Sequence, residues 1–364
     1  RQVILKRLTG SELIMTLENL QKAHRNALQL LQTNSIEEAK KQLLVLANQN
    51  FAPAMTDLAM VLLMYATEET ATISAINYLK LAEAQNYSPA IYYLATISVS
   101  DAVLKLNWHE LNTRLLQCCL LENPNALCDA ALFFAQFGST DQKKLSTPLL
   151  ELSAMKGNSI ALALLGERLA SGYLCDKDQA RANSIRRIAL RAGLPVSEPI
   201  IEFGFSAPEP THFLPVNKSE LNFNTEHTDQ PIVGECIDTT INLRQFPEFF
   251  TAEECLYIRC MGAPFVRPSV TVDEQGQTHQ NKIRSSFEFM FQIENESVYL
   301  KLLQRRMAKA VDIPLKNAEQ LILLRYTPGQ EYKPHRDYLP PSRYKSLSEG
   351  GPGQRLCTVI TYLN

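Results

Sequence analysis

Two side chains that bind divalent metal ions, the imidazole of His335 and the carboxylate of Asp337, lie two residues apart. In a β-strand, residues i and i+2 point to the same face, so these two groups can bind one ion side by side. They would supply two of the three protein ligands of a non-haem iron(II) facial triad, which leaves coordination positions open for a co-substrate and dioxygen. A His-x-Asp pair also occurs at solvated loop positions, so its surroundings must decide between the two interpretations.

The segments around this pair predict that it lies between strands of a sheet. An apolar, strand-like run over Leu321–Leu324 comes first, and a Pro328-Gly329 turn follows. After the pair comes a loop rich in Gly, Pro and Ser over 338–354, and then a run rich in β-branched and aromatic residues over 355–364. This order favours a metal site over a solvated pair.

Several further motifs occur in a fixed order between residues 241 and 364. They are Phe249-Phe250-Thr-Ala-Glu253-Glu254-Cys255, Pro268-Ser269-Val270, Arg284-Ser285-Ser286, Arg325-Tyr326, Gln330-x-Tyr332-x-Pro334-His335-x-Asp337, and Gly353-Gln354-Arg355 through Thr361-Tyr362-Leu363-Asn364. Together they resemble the N-terminal half of the catalytic domain of the prolyl 4-hydroxylase family, a branch of the 2-oxoglutarate- and iron(II)-dependent dioxygenases.

The resemblance implies roles in metal and cofactor binding for five residues. His335 and Asp337 match the first two iron ligands of the family. Tyr326 matches a tyrosine that contacts 2-oxoglutarate, and Thr358 and Tyr362 lie on a strand that lines the same pocket. The implied cofactors are Fe(II), 2-oxoglutarate and ascorbate.

The resemblance also implies how a substrate is held. Tyr332 and Arg355 match residues that face the peptide substrate, and the loop over 338–354 matches a segment that closes over it. Arg284 matches a motif arginine to which the sequence assigns no role. The family implies a peptidyl proline as substrate, but a lysyl residue, another amino acid or a small molecule stays open.

The family's third iron ligand is a second histidine well downstream of the pair, and a basic residue beyond it holds the distal carboxylate of 2-oxoglutarate. None of the other histidines lies at that family position: His24, His109, His212, His227 and His279. The sequence also begins with Arg1 rather than methionine. We therefore expect the sequence to be part of a longer protein, its jelly-roll domain to be incomplete, and residues 1–364 alone to be inactive and to bind iron poorly.

Length, charge and cysteine content bear on the number of domains, on nucleic acid binding, on membrane insertion and on the cellular compartment. A chain of 364 residues is expected to hold at least two domains. The formal net charge of −2 gives no electrostatic case for a nucleic acid partner, and no apolar run reaches the roughly 18 residues of a membrane span. The eight cysteines lack the spacing of a zinc site and favour buried free thiols in a reducing compartment, so we expect a cytoplasmic protein.

Small residues recur through the first half of the chain at a spacing of about 36 residues. One set is Ala54, Ala90, Ala126 and Ala161, and a second set, one helix earlier, is Leu46-Ala47, Leu81-Ala82, Cys118, Ser153 and Ala189. A short polar turn separates the two sets in each copy. This pattern is typical of stacked helix-turn-helix pairs, and residues 36–195 resemble tetratricopeptide-like repeats of the Sel type, with four full repeats and a last half.

The rest of the chain divides around these repeats. Residues 1–35 hold one amphipathic helix over 11–33 with Ser11 as its cap, and the proline-rich residues 196–240 predict an ordered linker or a strap that packs back on one domain. Residues 241–364 predict helices over 251–260 and 297–311 and strands over 266–272, 283–293, 319–326 and 355–364. Three basic residues of the second helix are predicted to form its solvated face: Arg305, Arg306 and Lys309.

The predicted fold class is α+β multidomain, with an N-terminal all-α repeat solenoid and a C-terminal double-stranded β-helix, or jelly roll. The predicted function is hydroxylation of a peptidyl residue by a 2-oxoglutarate- and iron(II)-dependent dioxygenase, with repeats that bind the substrate or a partner protein. A repeat-based interaction scaffold with an inactive dioxygenase-like domain is the main alternative. A cupin metal site with other chemistry is a further one, against which the sequence around Tyr326 and Arg355 argues.

Overall fold

The computed structural model describes residues 16–65, 68–198, 220–230, 232–269, 271–272, 278–279, 284–335, 337–338 and 353–364. The chain divides into two compact units, Arg1–Leu94 and Ala95–Asn364. The division into the four segments inferred from the sequence stays a prediction. None of the helices among these described residues is long and apolar enough to cross a membrane.

The described residues between 16 and 198 are mainly helical, as the spacing of small residues predicts. Within the described residues they form α1 (Leu17–Gln32), α2 (Ile36–Asn48), α3 (Ala52–Tyr65), α4 (Glu69–Glu83), α5 (Ser88–Ser98), α6 (Trp108–Leu120), α7 (Pro124–Phe137), α8 (Thr140–Met155), α9 (Ser159–Ser171) and α10 (Gln179–Arg191). From α2 onward these are four helix-turn-helix pairs and a last single helix. The predicted number of repeats is confirmed.

The small residues of the repeats lie where helices pack against each other. The lead alanine of each repeat is fully buried, and so are the small residues of the preceding helix: Ala54, Ala90, Ala126, Ala161, Ala82, Cys118, Ser153 and Ala189. A side chain of this size allows two helix backbones to approach closely. Each helix pair alone would leave its apolar face in water, so the pairs are stable only when stacked.

The turn inside each repeat has one conformation. A residue with left-handed backbone occurs every 35 or 36 residues, at Asn50, Asn86, Glu122, Gly157 and Gly193. The N–H of the next residue donates to the carbonyl five positions earlier, over 2.9 to 3.3 Å in all five turns. This Schellman arrangement satisfies carbonyls that the end of a helix would otherwise leave unpaired. Glycine and asparagine occupy four of the five positions because they tolerate positive φ best.

Helix α1 begins later than predicted. Thr16 is its N-cap, and the Thr16 hydroxyl accepts a hydrogen bond from the Asn19 amide at 3.3 Å. The predicted cap, Ser11, lies outside the described residues.

The described residues of the C-terminal part form short antiparallel strands and two α-helices. The elements are β1 (Glu235–Asp238), β2 (Leu243–Gln245), α11 (Ala252–Gly262), β3 (Arg267–Pro268), β4 (Thr271–Val272), β5 (Thr278–His279), β6 (Phe287–Met290), α12 (Val298–Ala310) and β7 (Ile322–Arg325). Strands β3, β6 and β7 form one sheet in that order, while β1–β2 and β4–β5 are separate pairs. The combination of helical repeats and a strand-containing part confirms the predicted fold class, and closure into a jelly roll stays a prediction.

Local capping determines where both C-terminal helices start. Thr251 and Glu254 form a capping box at the start of α11, and the Ser297 hydroxyl accepts from Leu300 N at the start of α12. The sheet packs on α11 so closely that a Cβ at Gly262 would lie 2.5 Å from Leu323 Cδ2. Helix α11 therefore supports the sheet that leads to the His-x-Asp pair.

Two predictions for this part are wrong. Residues 353–364 form no strand, because a strand needs a hydrogen-bonded neighbour and none of the described residues pairs with them. Two of the three basic residues of α12 do not lie on a solvated face: Arg306 is buried and bonds Glu254 at 2.9 Å and 3.1 Å, and Arg305 pairs with Asp229 at 2.7 Å. Sequence periodicity could not show this because both acids lie on other segments. The third, Lys309, is exposed as predicted.

Candidate metal centre

A tight turn after β7 places the His-x-Asp pair next to the sheet. Gly329 has φ +85°, and the Gln330 side chain accepts from Thr327 N at 2.8 Å and thereby closes the turn. The chain then pairs back on the segment before β6, where Ser285 N donates to Glu331 O at 3.0 Å. The Arg-Ser-Ser and Gln-x-Tyr motifs are therefore neighbours in the fold.

The two candidate ligands converge. His335 Nε2 lies 3.0 Å from Asp337 Oδ1, and His335 Nδ1 lies 2.9 Å from the carbonyl of Lys333. If Nδ1–H donates to that carbonyl, Nε2 carries a lone pair that faces a carboxylate oxygen, and either a second proton or a shared cation must lie between them. Adjacent ligands at right angles and about 2.1 Å from one ion are about 3.0 Å apart, so this separation fits a metal site.

Two residues of the segment 353–364 hold Asp337. Thr358 Oγ1 donates to Asp337 Oδ2 at 2.7 Å, so Oδ1 is the oxygen that faces His335. This hydrogen bond is the main reason that the pKa of Asp337 lies below its ordinary value; burial opposes it and His335 adds to it. Arg355 Nη1 donates to Asp337 O at 3.1 Å, and its Nη2 bonds Glu319 at 2.7 Å. The segment is attached to the site although it forms no strand.

Tyr332 and Arg284 form one wall of the site. The rings of Tyr332 and His335 are stacked, with centroids 3.6 Å apart. The Arg284 guanidinium lies 5.1 Å from the centre of the Tyr332 ring, bonds Ser286 Oγ at 3.1 Å and pairs with Glu288 at 2.8 Å. The structure thus gives the motif arginine a role that the sequence did not: it holds the tyrosine that packs on the histidine.

Five of the seven predicted site residues are joined by direct contacts: His335, Asp337, Thr358, Arg355 and Tyr332. Tyr326 directly follows β7 and is 43% exposed, and Tyr362 is 84% exposed. Within the described part of the chain, neither makes a hydrogen bond or ring contact with the other five. The pocket they were predicted to line is therefore not assembled by the described residues.

Glu319 is a site residue that the sequence did not indicate. It binds the Arg355 guanidinium through both carboxylate oxygens, and this hydrogen bond raises the pKa of Arg355. The two residues lie 36 positions apart, so no local spacing could have identified the pair.

The donor set fits iron in type but supplies two protein ligands. An imidazole and a carboxylate are the ligand types of the facial triad, and their separation suits one ion. Among the described residues, no group of three or more His, Cys, Asp or Glu side chains could hold a metal ion.

Comparison with known proteins supports the resemblance seen in the motifs. No family model matches the chain. Prolyl 4-hydroxylase 1 of Arabidopsis thaliana is 33% identical over 118 residues, which are 32% of this chain and 40% of that protein. Prolyl 4-hydroxylase 5 of the same plant is 29% identical over 150 residues, 41% of this chain and 50% of that protein.

The crystal structure of a Sel1 repeat protein from Oxalobacter formigenes is also similar, with 20% identity and a TM-score of 0.41 over 50% of this chain and 77% of that one. The match to the curated relatives spans at most half of their length. The resemblance to prolyl 4-hydroxylases that the motifs predict is confirmed.

Proposed function

We propose that the C-terminal part of this chain contributes to a 2-oxoglutarate- and iron(II)-dependent dioxygenase that hydroxylates a peptidyl residue, with proline as that residue. The observation that carries this proposal is the convergence of His335 Nε2 and Asp337 Oδ1 at 3.0 Å. The similarity to plant prolyl 4-hydroxylases supports the choice of proline.

In this proposal the two converging side chains hold iron(II). Bound iron, with 2-oxoglutarate and dioxygen, supplies the oxidising power that protein side chains lack. The chain's own contribution is orientation: the Lys333 carbonyl holds the imidazole, and the Thr358 hydroxyl holds the carboxylate. Hydrogen bonds of this kind keep the metal ligands directed at the ion and change the affinity of the site for the metal.

The remaining site residues complete the proposal. Tyr326, Thr358 and Tyr362 are proposed to contact 2-oxoglutarate, with ascorbate as a further cofactor. Tyr332 and Arg355 are proposed to face the peptide, where Tyr332 already packs on the metal-binding imidazole. The helical repeats are proposed to bind the substrate protein or a partner, and the cytoplasm is the proposed compartment.

A repeat-based interaction scaffold with an inactive dioxygenase-like domain is the second candidate. It is favoured by one observation, that the described residues offer two clustered metal-binding side chains rather than three. A metal-binding measurement separates the two candidates directly.

The test is succinate release from 2-oxoglutarate by the whole protein with iron(II) and ascorbate, with and without a proline-rich peptide. We expect peptide-stimulated turnover and bound iron, both abolished by His335→Ala. His24→Ala is the control, because His24 lies on α1, bonds Asp57 and belongs to neither the candidate metal site nor the substrate-binding residues. Absence of both turnover and bound iron in the whole protein would favour the scaffold.

A further inference from the structure

Residues 220–230, which we name the strap, pack across the helices: residues 221–224 lie outside any helix or strand, and Thr225–Asp229 form one short 3-10 helix. Burial alternates along residues 221–226. The side chains of Leu221, Phe223 and Thr225 are buried, and those of Asn222, Asn224 and Glu226 are exposed. This is the period of a β-strand, but no strand among the described residues pairs with residues 221–224. Helix side chains therefore hold the strap, as they would hold a bound peptide.

Two helix side chains bind the strap through its backbone. Gln142 Nε2, from α8, donates to the carbonyl of Asn222 at 2.7 Å. Asn112 Oδ1, from α6, accepts from both the amide and the hydroxyl of Thr225, at 3.2 Å and 2.7 Å. Side-chain amides that bond backbone groups fix the register of an extended segment without requiring a particular sequence.

An aromatic side chain anchors the strap between these contacts. The Phe223 ring stacks on Phe134 of α7, with centroids 5.1 Å apart and planes 21° apart, and lies 6.0 Å from the Phe133 ring. Phe223 is only 6% exposed. Burial of one aromatic ring in a preformed apolar surface is the usual source of affinity in peptide recognition.

A carboxylate holds the end of the strap. Asp229 bonds Arg305 of α12 through both oxygens, at 2.7 Å and 3.1 Å, and lies 3.3 Å from Lys309. The Arg305 guanidinium also lies 5.3 Å from the centre of the Trp108 ring of α6. The strap therefore bridges the repeat helices and α12 of the C-terminal part.

We propose that the surface formed by α6, α7, α8 and α12 is a peptide-binding groove, and that the strap is its internal ligand. Recognition uses three features: a buried aromatic residue, a threonine two positions later, and a carboxylate four positions after that. An external protein segment with the same chemistry competes for the groove. The interaction surface of these repeats is thus occupied by the chain itself until the strap is displaced.

The first test weakens the strap and leaves the groove intact. The probe is a fluorescein-labelled peptide with the sequence of residues 220–230, measured by fluorescence anisotropy. A tethered ligand acts at an effective concentration in the millimolar range, so wild-type protein competes strongly with the peptide. We expect the double variant Phe223→Ala, Thr225→Ala to bind the peptide at least about tenfold more tightly than wild type does.

Two matched controls test whether the peptide binds in the groove and whether it binds through its phenylalanine. Adding Asn112→Ala to the double variant should weaken peptide binding roughly tenfold, because two hydrogen bonds are lost. A peptide in which the phenylalanine is replaced by alanine should not bind the double variant. Equal affinity of the peptide for wild type and double variant, or no binding to a folded double variant, would overturn the proposal.

A second measurement uses wild-type protein only, and it tests displacement of the strap even if the double variant does not fold. Wild-type protein is incubated with millimolar peptide, and amide exchange of the chain's own strap is followed by mass spectrometry. Displacement should accelerate exchange at Thr225, whose amide is held by Asn112. The alanine-substituted peptide should leave it unchanged, and unchanged exchange with the native peptide contradicts the proposal.

Discussion

Arg168 of α9 and Glu253 of α11 form a bidentate ion pair, with Nε–Oε1 and Nη2–Oε2 distances of 2.5 Å and 2.8 Å. Arg168 is 2% exposed, and its remaining nitrogen donates to Ser146 and Thr147 of α8 at 2.7 Å and 3.1 Å. This pair joins the last full helical repeat to the helix that supports the sheet. The two parts of the unit 95–364 are therefore packed through a buried polar contact rather than a solvated linker.

A second set of buried polar groups continues this contact. Asp129 of α7 accepts from the Tyr257 hydroxyl and from the Tyr299 amide, both at 3.2 Å. Glu254 accepts from the Tyr299 hydroxyl at 2.9 Å and pairs with Arg306. Burial raises the pKa of Tyr257 and Tyr299 well above the ordinary value, so both phenols stay protonated donors. The hydrogen bonds compensate the cost of burying these groups.

Replacing Arg168 by methionine should destabilise the unit 95–364 by about 3–5 kcal/mol, because Glu253 and two hydroxyls lose a buried partner. The measurement is urea denaturation followed by fluorescence of Trp108, the single tryptophan. Lys144→Met is the control, since the Lys144–Asp141 pair is exposed and should contribute no measurable stability. If both variants unfold at the same urea concentration, the ion pair does not stabilise this packing.

Thr358→Val should weaken metal binding by the whole protein about 10–100-fold, because the carboxylate of Asp337 loses the hydroxyl that orients it. Thr358→Ser keeps the hydroxyl and should bind metal like wild type. Titration with cobalt(II) followed by its absorption spectrum measures both. Equal affinity of the valine and serine variants would show that the hydroxyl does not orient the ligand.

Acid should weaken the structure around Glu167. Burial raises the pKa of Glu167, but hydrogen bonds from Arg186 and Ser197 outweigh it, so the pKa lies below its ordinary value. A carboxyl with a lowered folded-state pKa stabilises the fold above its unfolded pKa of about 4.3, and this contribution is lost as pH falls through the folded value. Wild type should therefore be more stable than Glu167→Gln at pH 6.

The difference between wild type and Glu167→Gln should shrink as the pH falls below about 4.3, because the carboxylate is protonated first in the unfolded state and, at lower pH, in the folded state. This difference in stability is measured as the free energy of unfolding of each protein, obtained by urea titration at several pH values. A difference that does not change with pH would mean that the ionised carboxylate is not what stabilises the Arg186 contact.

Thiol reactivity should follow burial. Cys236 and Cys357 are exposed, while Cys119, Cys128 and Cys260 are buried and have raised pKa values, about 12 for Cys260. Because the thiolate is the reactive form, we expect two of the eight thiols to react fast with a disulfide reagent at pH 8. Full reaction should require denaturant.

Replacing Cys236 and Cys357 by serine should abolish the fast phase. Mass spectrometry identifies the modified residues. Fast modification of Cys128 or Cys260 in the native protein would show that the packing of α7 and α11 opens more readily than their burial implies.

The sequence by itself determined the features that depend on local spacing. The repeats follow from small residues at a regular period, and their turns follow from which residues tolerate positive φ, as at Gly157 and Gly193. The starts of α11 and α12 follow from capping residues within three positions of the backbone groups they bond. Each of these interactions lies within a few residues of the chain and is favourable before distant parts meet.

Only the tertiary structure decided which distant residues meet. Arg168 and Glu253 lie 85 positions apart, and Arg306 lies 52 positions from Glu254, so periodicity alone placed Arg306 on a solvated face. Thr358 is a further example: motif matching placed it on a strand that lines the cofactor pocket, and only the structure shows that its hydroxyl bonds Asp337. Charged and hydroxyl side chains take whichever partner the packed helices and sheet bring within hydrogen-bonding distance, and that partner is not encoded in local spacing.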